Sequence, residues 1–134
     1  MSPEQIAIVR ESWRKIAPIA DQAVSLFYDK LFEIDPDLRE LFKGTDMVAQ
    51  RMKLVQALAG VIGRLEGVEE IVPQLQELGR RHTAYGVQDE HYASVGIALL
   101  GTLEEGLAED WTPEAGQAWA EAYGLIAGTM KAAA

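Results

Sequence analysis

A histidine stands on an apolar helical face in the segment GRRHTAYGV, residues 79–87. Leu75 and Leu78 mark that face at helical spacing, and the next step of the same pattern reaches His82. Gly86 follows within about a turn, and a glycine at this point commonly ends a helix. An inward imidazole near a helix end is either a hydrogen-bonded core residue or a ligand for a bound group.

Two further polar side chains fall on the inward faces of other predicted helices. Gln50 precedes Leu54 and Val61 at spacings of four and eleven residues. Tyr28 shares a helical face with Leu31. A buried polar group without a partner costs about 1–3 kcal/mol. Three such groups on three predicted helices therefore indicate a shared cavity.

The metal chemistry open to His82 is limited by the other residue types present. The chain has no cysteine, which excludes a zinc site of the His/Cys type, and no Glu-x-x-His pair, which carboxylate sites use. His91, the other histidine, falls at a predicted helix start, where we expect solvent around it. One imidazole suits a metal whose remaining bonds come from another molecule. Haem b (iron protoporphyrin IX) meets this condition, because its porphyrin supplies four nitrogens and needs one axial histidine.

The elements that must position these residues are helices. Apolar residues recur at helical spacing throughout, and strict alternation is nowhere sustained. Residues 2–4, 35–37 and 112–114 each place a capping residue before a proline and an acid, which is how helices begin. Seven helices of unequal length argue against a regular four-helix bundle and predict an all-α fold. The predicted helices cover 3–17, 18–34, 36–42, 46–64, 69–84, 90–107 and 113–131.

Composition limits the possible partners and location. The 134 residues fit a single domain over 1–134 with a hydrophobic core. Acidic side chains outnumber basic ones, 21 to 12, and a formal net charge of −9 disfavours nucleic acid and anionic membranes. The longest apolar run, near 95–103, is broken by glycines and is too short to cross a bilayer. The N-terminus lacks a signal-peptide pattern, so we expect a cytoplasmic protein.

Four segments spread along the chain carry a family pattern: FYDKLFEIDPDLRELF at 27–42, QRMKL at 50–54, GRRHTAYGV at 79–87 and AWAEAYG at 118–124. They resemble the globin superfamily, specifically the bacterial single-domain haemoglobins and the haem domain of flavohaemoglobins, with a further similarity to neuroglobin. The resemblance implies the globin fold, a three-over-three helical sandwich enclosing haem.

Site residues follow from the resemblance position by position. It implies His82 as the proximal iron ligand, with Tyr28 and Gln50 as the distal tyrosine and the distal polar residue. It places Leu54 over the iron. The remaining matches are four haem-contacting residues and two cations near the propionates: Phe42, Leu78, Val87 and Tyr92, then Lys53 and Arg81. Outside a haem pocket, the apolar members of this set would be ordinary core residues and the two cations ordinary surface charges.

One position departs from the flavohaemoglobin pattern. In that family a glutamate late in the last helix, together with a tyrosine that matches Tyr92, polarises the proximal imidazole. The corresponding position here is Ala134. The resemblance therefore implies that His82 lacks a carboxylate partner and donates instead to a backbone carbonyl.

The resemblance implies reversible binding of O₂, and of NO and CO, with Tyr28 and Gln50 as hydrogen-bond donors to the ligand. The same donors would serve dioxygenation of NO. Because the flavin and nicotinamide domains of flavohaemoglobins do not appear in this sequence, that activity would need a separate flavin reductase. A haem-free helical sensor or adaptor is the third alternative.

Overall fold

The computed structural model describes residues 1–133, and within them it contains only helical elements and connecting turns. The all-α prediction is therefore confirmed. The α-helices are α1 Pro3–Ile16, α2 Ala20–Ile34, α3 Met47–Ile62, α4 Val72–Ala84, α5 Asp89–Leu107 and α6 Pro113–Ala133. Short 3₁₀ segments lie at Ala17–Ile19, Pro36–Phe42, Leu65–Glu70 and Ala108–Asp110. In this part of the chain, no helix combines the length and the apolar character that a bilayer crossing requires.

Two of the three predicted capping residues begin helices as expected. The Ser2 hydroxyl accepts from the Gln5 backbone N–H at 3.1 Å, and Gln5 Oε1 accepts from the Ser2 backbone N–H at 3.0 Å. This reciprocal pair satisfies two N–H groups that the first turn of α1 leaves without helical partners. At α6, the Thr112 hydroxyl accepts from the Ala115 backbone N–H at 3.0 Å.

The prediction that the third residue, Asp35, caps a helix is wrong. Its side chain caps no helix and instead accepts a hydrogen bond from the Ser94 hydroxyl at 3.2 Å. The Asp35 backbone N–H still bonds to the Leu31 carbonyl at 2.9 Å, so this residue closes α2. The segment Pro36–Phe42 that follows is a 3₁₀ helix, not the predicted α-helix.

The predicted helix over 69–84 begins three residues late. Gly67 has φ −128° and ψ 48°, which are not helical, and the segment around it forms the 3₁₀ helix Leu65–Glu70. Regular helix starts at Val72, where Pro73 fits because the first turn needs no N–H from it.

Two apolar clusters hold the helices together. The first combines buried side chains from α1, α2, α3, α5 and α6, with Val9 and Ala118 fully inaccessible to solvent. The second lies between α4, the start of α5 and the end of α6 and consists of Ile71, Leu75, Tyr92, Ala127 and Met130. The side chains of Val61 and Tyr123 pack against both clusters. Burial of these faces is the main source of stability for the individual helices.

The inward faces of α3 and α4 are incompletely covered. In the described residues, α3 packs on α2 and α4 packs on α6, but α3 and α4 do not pack closely on each other. Leu54 and Leu58 of α3 and Leu78 and His82 of α4 are consequently only half-buried. Both helices thus present apolar surface that the rest of the fold does not cover.

The position of α4 depends on a close backbone approach to α6. Gly79 is buried against Met130, and a Cβ atom added at Gly79 would lie 2.2 Å from the Met130 carbonyl oxygen. Only a residue without a side chain permits that separation, because real Cβ atoms do not come so near to a backbone oxygen. His82 lies one helical turn further along α4, so its location is set by the same contact.

Gly79→Ala is therefore expected to destabilise the protein by about 2 kcal/mol or more, since an overpacked contact against backbone cannot relax by rotation of a side chain. Gly128→Ala is the matched control. It lies on α6 with nothing within 4 Å of an added Cβ, and it should stabilise by about 0.5–1 kcal/mol through helix propensity. Chemical denaturation of both variants measures the two effects. Equal stabilisation by both substitutions would contradict the close approach.

Candidate functional site

Tyr28 of α2 and Gln50 of α3 form a hydrogen-bonded pair. Gln50 Nε2 donates to the Tyr28 hydroxyl oxygen across 3.2 Å. Because a phenol can both accept and donate, the hydroxyl hydrogen of Tyr28 is left for a different acceptor. Two residues that sequence periodicity placed on inward faces are thus brought into direct contact, 22 positions apart in the chain.

The orientation of Gln50 follows from where α3 begins. Asp46 caps this helix, and its carboxylate accepts from the backbone N–H groups of Val48 at 3.1 Å and Ala49 at 3.4 Å. The backbone N–H of Gln50 bonds to the Asp46 carbonyl at 2.9 Å. These contacts define the first turn, from which the Gln50 amide reaches Tyr28.

Aromatic rings surround the Tyr28 side chain, which is 6% exposed. The ring centroids of Phe27 and Phe42 lie 5.0 Å and 5.5 Å from that of Tyr28, both edge to face, and Phe32 lies 6.1 Å away. Burial raises the pKa of Tyr28, while the Gln50 hydrogen bond and the Arg51 charge act weakly in the opposite direction. The side chain is therefore a neutral hydroxyl at physiological pH and retains its proton for donation.

Leu54 and Phe42 complete the group around Tyr28. Both are half-buried and pack against the first apolar cluster, to which Tyr28 also belongs. Phe32, which was not among the predicted site residues, lies beside them, with its ring 5.5 Å from that of Phe42. We refer to Tyr28, Phe42, Gln50 and Leu54 as the tyrosine group.

His82 lies in the last full turn of α4, where its ring makes one hydrogen bond to the backbone. Nδ1 is 2.8 Å from the carbonyl oxygen of Leu78. Because a carbonyl can only accept, Nδ1 must carry a hydrogen, and in the neutral imidazole Nε2 is then the nitrogen whose lone pair can bind a metal. Leu78 thus provides the backbone acceptor that the resemblance implied, while Ala134, the position of the absent acid, lies outside the described residues.

Tyr92 at the start of α5 packs against the His82 ring. Their ring centroids are 6.4 Å apart and their planes are inclined by 29°. Within residues 1–133 the buried Tyr92 hydroxyl has no hydrogen-bond partner. Burial, and to a lesser degree the charge of Asp89, raise the pKa of Tyr92. Tyr92 therefore contacts His82 through stacking of the two rings, and this stacking restricts rotation of the imidazole.

Tyr123 of α6 fixes the backbone of Tyr92. The Tyr123 hydroxyl donates to the Tyr92 carbonyl oxygen at 2.6 Å. A Cβ at Gly96 would lie 2.9 Å from the Tyr123 ring, so glycine at this position allows the ring to reach α5. Leu78 and Val87 are half-buried against the cluster that contains Tyr92. We refer to Leu78, His82, Val87 and Tyr92 as the histidine group.

The two predicted cations lie outside both groups. Arg81 has a side chain that is 63% exposed, and its Nε is 3.5 Å from Glu77 Oε1. Lys53 is also exposed. Their contact with haem propionates stays a prediction. His91 is only half-buried, and its Nδ1 accepts from the Gln88 backbone N–H at 2.9 Å at the start of α5.

Sequence reasoning missed Tyr123 and Lys131 as neighbours of the histidine group. Lys131 Nζ lies 5.9 Å from the centroid of the Tyr92 ring. Both residues belong to α6 and meet Tyr92 more than 30 positions away in sequence, so no local spacing signals the contact. Among the described residues, no three or more His, Cys, Asp or Glu side chains gather to hold a metal ion.

Comparison with known proteins agrees with this architecture. The Globin family model matches residues 25–130. A flavohemoprotein of Bacillus subtilis is 30% identical over 124 residues, covering 91% of this chain but 31% of the relative, so the chain spans about a third of its length. The anaerobic nitrite reductase HBII of Casuarina glauca is 31% identical over 142 residues, covering 96% of this chain and 89% of the relative.

A solved bacterial globin from Campylobacter jejuni superposes with a TM-score of 0.85 at 23% identity, covering 98% of this chain and 95% of that one. This likeness concerns the fold, and it confirms the predicted globin architecture. With the family match over residues 25–130, it leads to one conclusion: the chain belongs to the Globin family.

Proposed function

We propose that this chain is a haem-binding globin in which His82 ligates the iron and Tyr28, oriented by Gln50, hydrogen-bonds to a reversibly bound diatomic ligand, primarily O₂. The observation that carries the proposal is the His82 hydrogen bond to the Leu78 carbonyl, because it leaves Nε2 as a metal ligand. The globin family and its haem-protein relatives support the haem-binding part.

The residues present fit a haem. A porphyrin is a large, flat and mostly apolar group, and the incompletely covered inner faces of α3 and α4 offer apolar side chains of matching character. Phe42 and Leu54 from the tyrosine group and Leu78 and Val87 from the histidine group would contact its faces. Haem b is the form we propose.

Ferrous haem supplies reversible binding of diatomic gases, with negative charge developing on O₂ but little on CO. Tyr28 is suited to stabilise such charge, because burial keeps its hydroxyl protonated and the aromatic rings around it exclude water. Gln50 already donates to the oxygen of that hydroxyl. Hydrogen bonds in a chain strengthen one another, so Gln50, which we also propose as a donor to the ligand, would polarise the Tyr28 hydroxyl.

Dioxygenation of NO is the second candidate function, and the similarity to a flavohemoprotein favours it. We propose that a separate flavin reductase would supply the electrons for this activity. Sustained nitrate formation over many turnovers with such a reductase distinguishes this enzyme from an O₂ carrier. A single turnover would not distinguish them. We further propose that residues 1–134 act as one domain in the cytoplasm, without nucleic acid or membrane partners.

Tyr28→Phe should raise the O₂ dissociation rate about tenfold or more, because a buried hydrogen bond to a charged acceptor contributes about 1.5–3 kcal/mol. The CO dissociation rate should change much less. Stopped-flow ligand replacement measures both rates. Tyr85→Phe is the matched control, since it removes the same hydroxyl from a side chain that is 71% exposed. Equal acceleration for the two gases would point to a steric cause and contradict the hydrogen-bond role.

His82→Ala should abolish tight haem retention, since the iron would lose its protein ligand while the apolar contacts remain. Added imidazole should partly restore the wild-type ferrous spectrum. Absorption spectra after gel filtration report both effects, and His91→Ala, which alters only the start of α5, should keep its haem. A His82→Ala protein that retains the wild-type spectrum without imidazole would refute the assignment of the ligand.

A further inference from the structure

Three side chains form a stack on one side of the histidine group. The His82 ring lies against the Tyr92 ring, with 6.4 Å between centroids. Lys131, in the last turn of α6, places its Nζ 5.9 Å from the centroid of the same Tyr92 ring. Nothing in the proposed ligand chemistry uses Lys131, and its contact with Tyr92 joins the end of α6 to the start of α5.

Lys131 places a positive charge beside the Tyr92 ring that the His82 imidazole contacts. His82 Nδ1 donates to a neutral backbone carbonyl, so the imidazole gains little anionic character from its hydrogen bond. Tyr92 is 7% exposed, so its ring, which contacts both Lys131 and His82, is largely shielded from water. An electric field passes through a buried ring with less screening than through solvent.

The charged groups near this stack do not all have the same sign. Asp89, in the first turn of α5, is exposed and acts on the Tyr92 hydroxyl end of the stack. Arg81 adjoins His82 in sequence, but it is exposed and its charge is shared with Glu77. Lys131 is the cation that lies over the Tyr92 ring, and His82 contacts the same ring.

We propose that Lys131 is a positioning residue which, acting through the Tyr92 ring, raises the reduction potential of an iron held by His82. A nearby positive charge disfavours the ferric form, which carries one more positive charge than the ferrous form. The lysine thereby helps to keep the iron in the ferrous state, the only one that binds O₂. This inference rests on the proposed haem binding at His82.

The test is the midpoint potential of the full-length, haem-loaded protein, measured by spectroelectrochemical titration. Lys131→Glu should shift the ferric-to-ferrous ratio at a fixed potential at least threefold towards ferric, which corresponds to about 30 mV for a one-electron couple. Lys131→Gln should give a smaller shift in the same direction. Asp89→Asn, which removes the opposing charge, should shift the ratio towards ferrous.

Lys15→Glu is the matched control. It makes the same charge change on an exposed lysine that neighbours Asp110, beyond the far end of α5, and it should leave the potential almost unchanged. Tyr92→Leu tests the route through the ring, because in that background the effect of Lys131→Glu should shrink. Circular dichroism checks that each variant is folded, and for the Lys131 variants the exposure of this side chain leads us to expect a folded protein.

Three outcomes are distinguishable. A Lys131→Glu shift no larger than that of Lys15→Glu overturns the role of Lys131. A full shift that persists in the Tyr92→Leu background overturns the route through the ring. Failure of the wild-type protein to bind one haem, seen as a missing Soret band, overturns the proposed function and this inference with it.

Discussion

The close approach of α4 to α6 at Gly79 is the contact on which the rest of the site depends. Where a side chain would collide with the Met130 carbonyl, glycine lets the two backbones touch. The second apolar cluster forms around this contact, with Met130 and Leu75 among its members. His82 follows one turn later, so a backbone constraint, not a side-chain preference, determines where the imidazole stands.

The tyrosine group and the histidine group differ in how their polar atoms are hydrogen-bonded. Around Tyr28, donors are linked in series, because Gln50 donates to the hydroxyl and the hydroxyl retains its own hydrogen. Around His82, Nδ1 donates to a carbonyl of the same helix, and Tyr92 contributes a ring face. The first arrangement leaves a hydroxyl donor that can stabilise negative charge, and the second holds the imidazole in a fixed orientation.

Aromatic residues serve distinct purposes in the two regions. Phe27, Phe32 and Phe42 pack around Tyr28 and remove it from water, which keeps the hydroxyl protonated. The Tyr123 hydroxyl, by contrast, donates to the backbone of α5, and burial raises the pKa of Tyr123 strongly. The hydrogen bond to the Tyr92 carbonyl ties α6 to α5 beside the stack formed by His82, Tyr92 and Lys131.

Much of this arrangement could be predicted from the sequence. The helical period alone assigned the all-α fold and placed His82, Tyr28 and Gln50 on inward faces, because periodicity reports which side of a helix is buried. The absence of cysteine and the single inward histidine limited the metal chemistry to a group that brings its own ligands. These features depend on residue type and local spacing, which a sequence displays directly.

The tertiary structure decided which inward residues meet. Gln50 is hydrogen-bonded to Tyr28 across 22 positions of the sequence, and Tyr123 to the Tyr92 carbonyl across 31. No local pattern encodes either contact. For the same reason, the sequence did not show that the Asp35 carboxylate accepts from Ser94, 59 positions away, instead of capping a helix. Helical periodicity fixes the direction of a side chain relative to its own axis, whereas the partner depends on how helices cross, and that is set by packing contacts such as Gly79 against Met130.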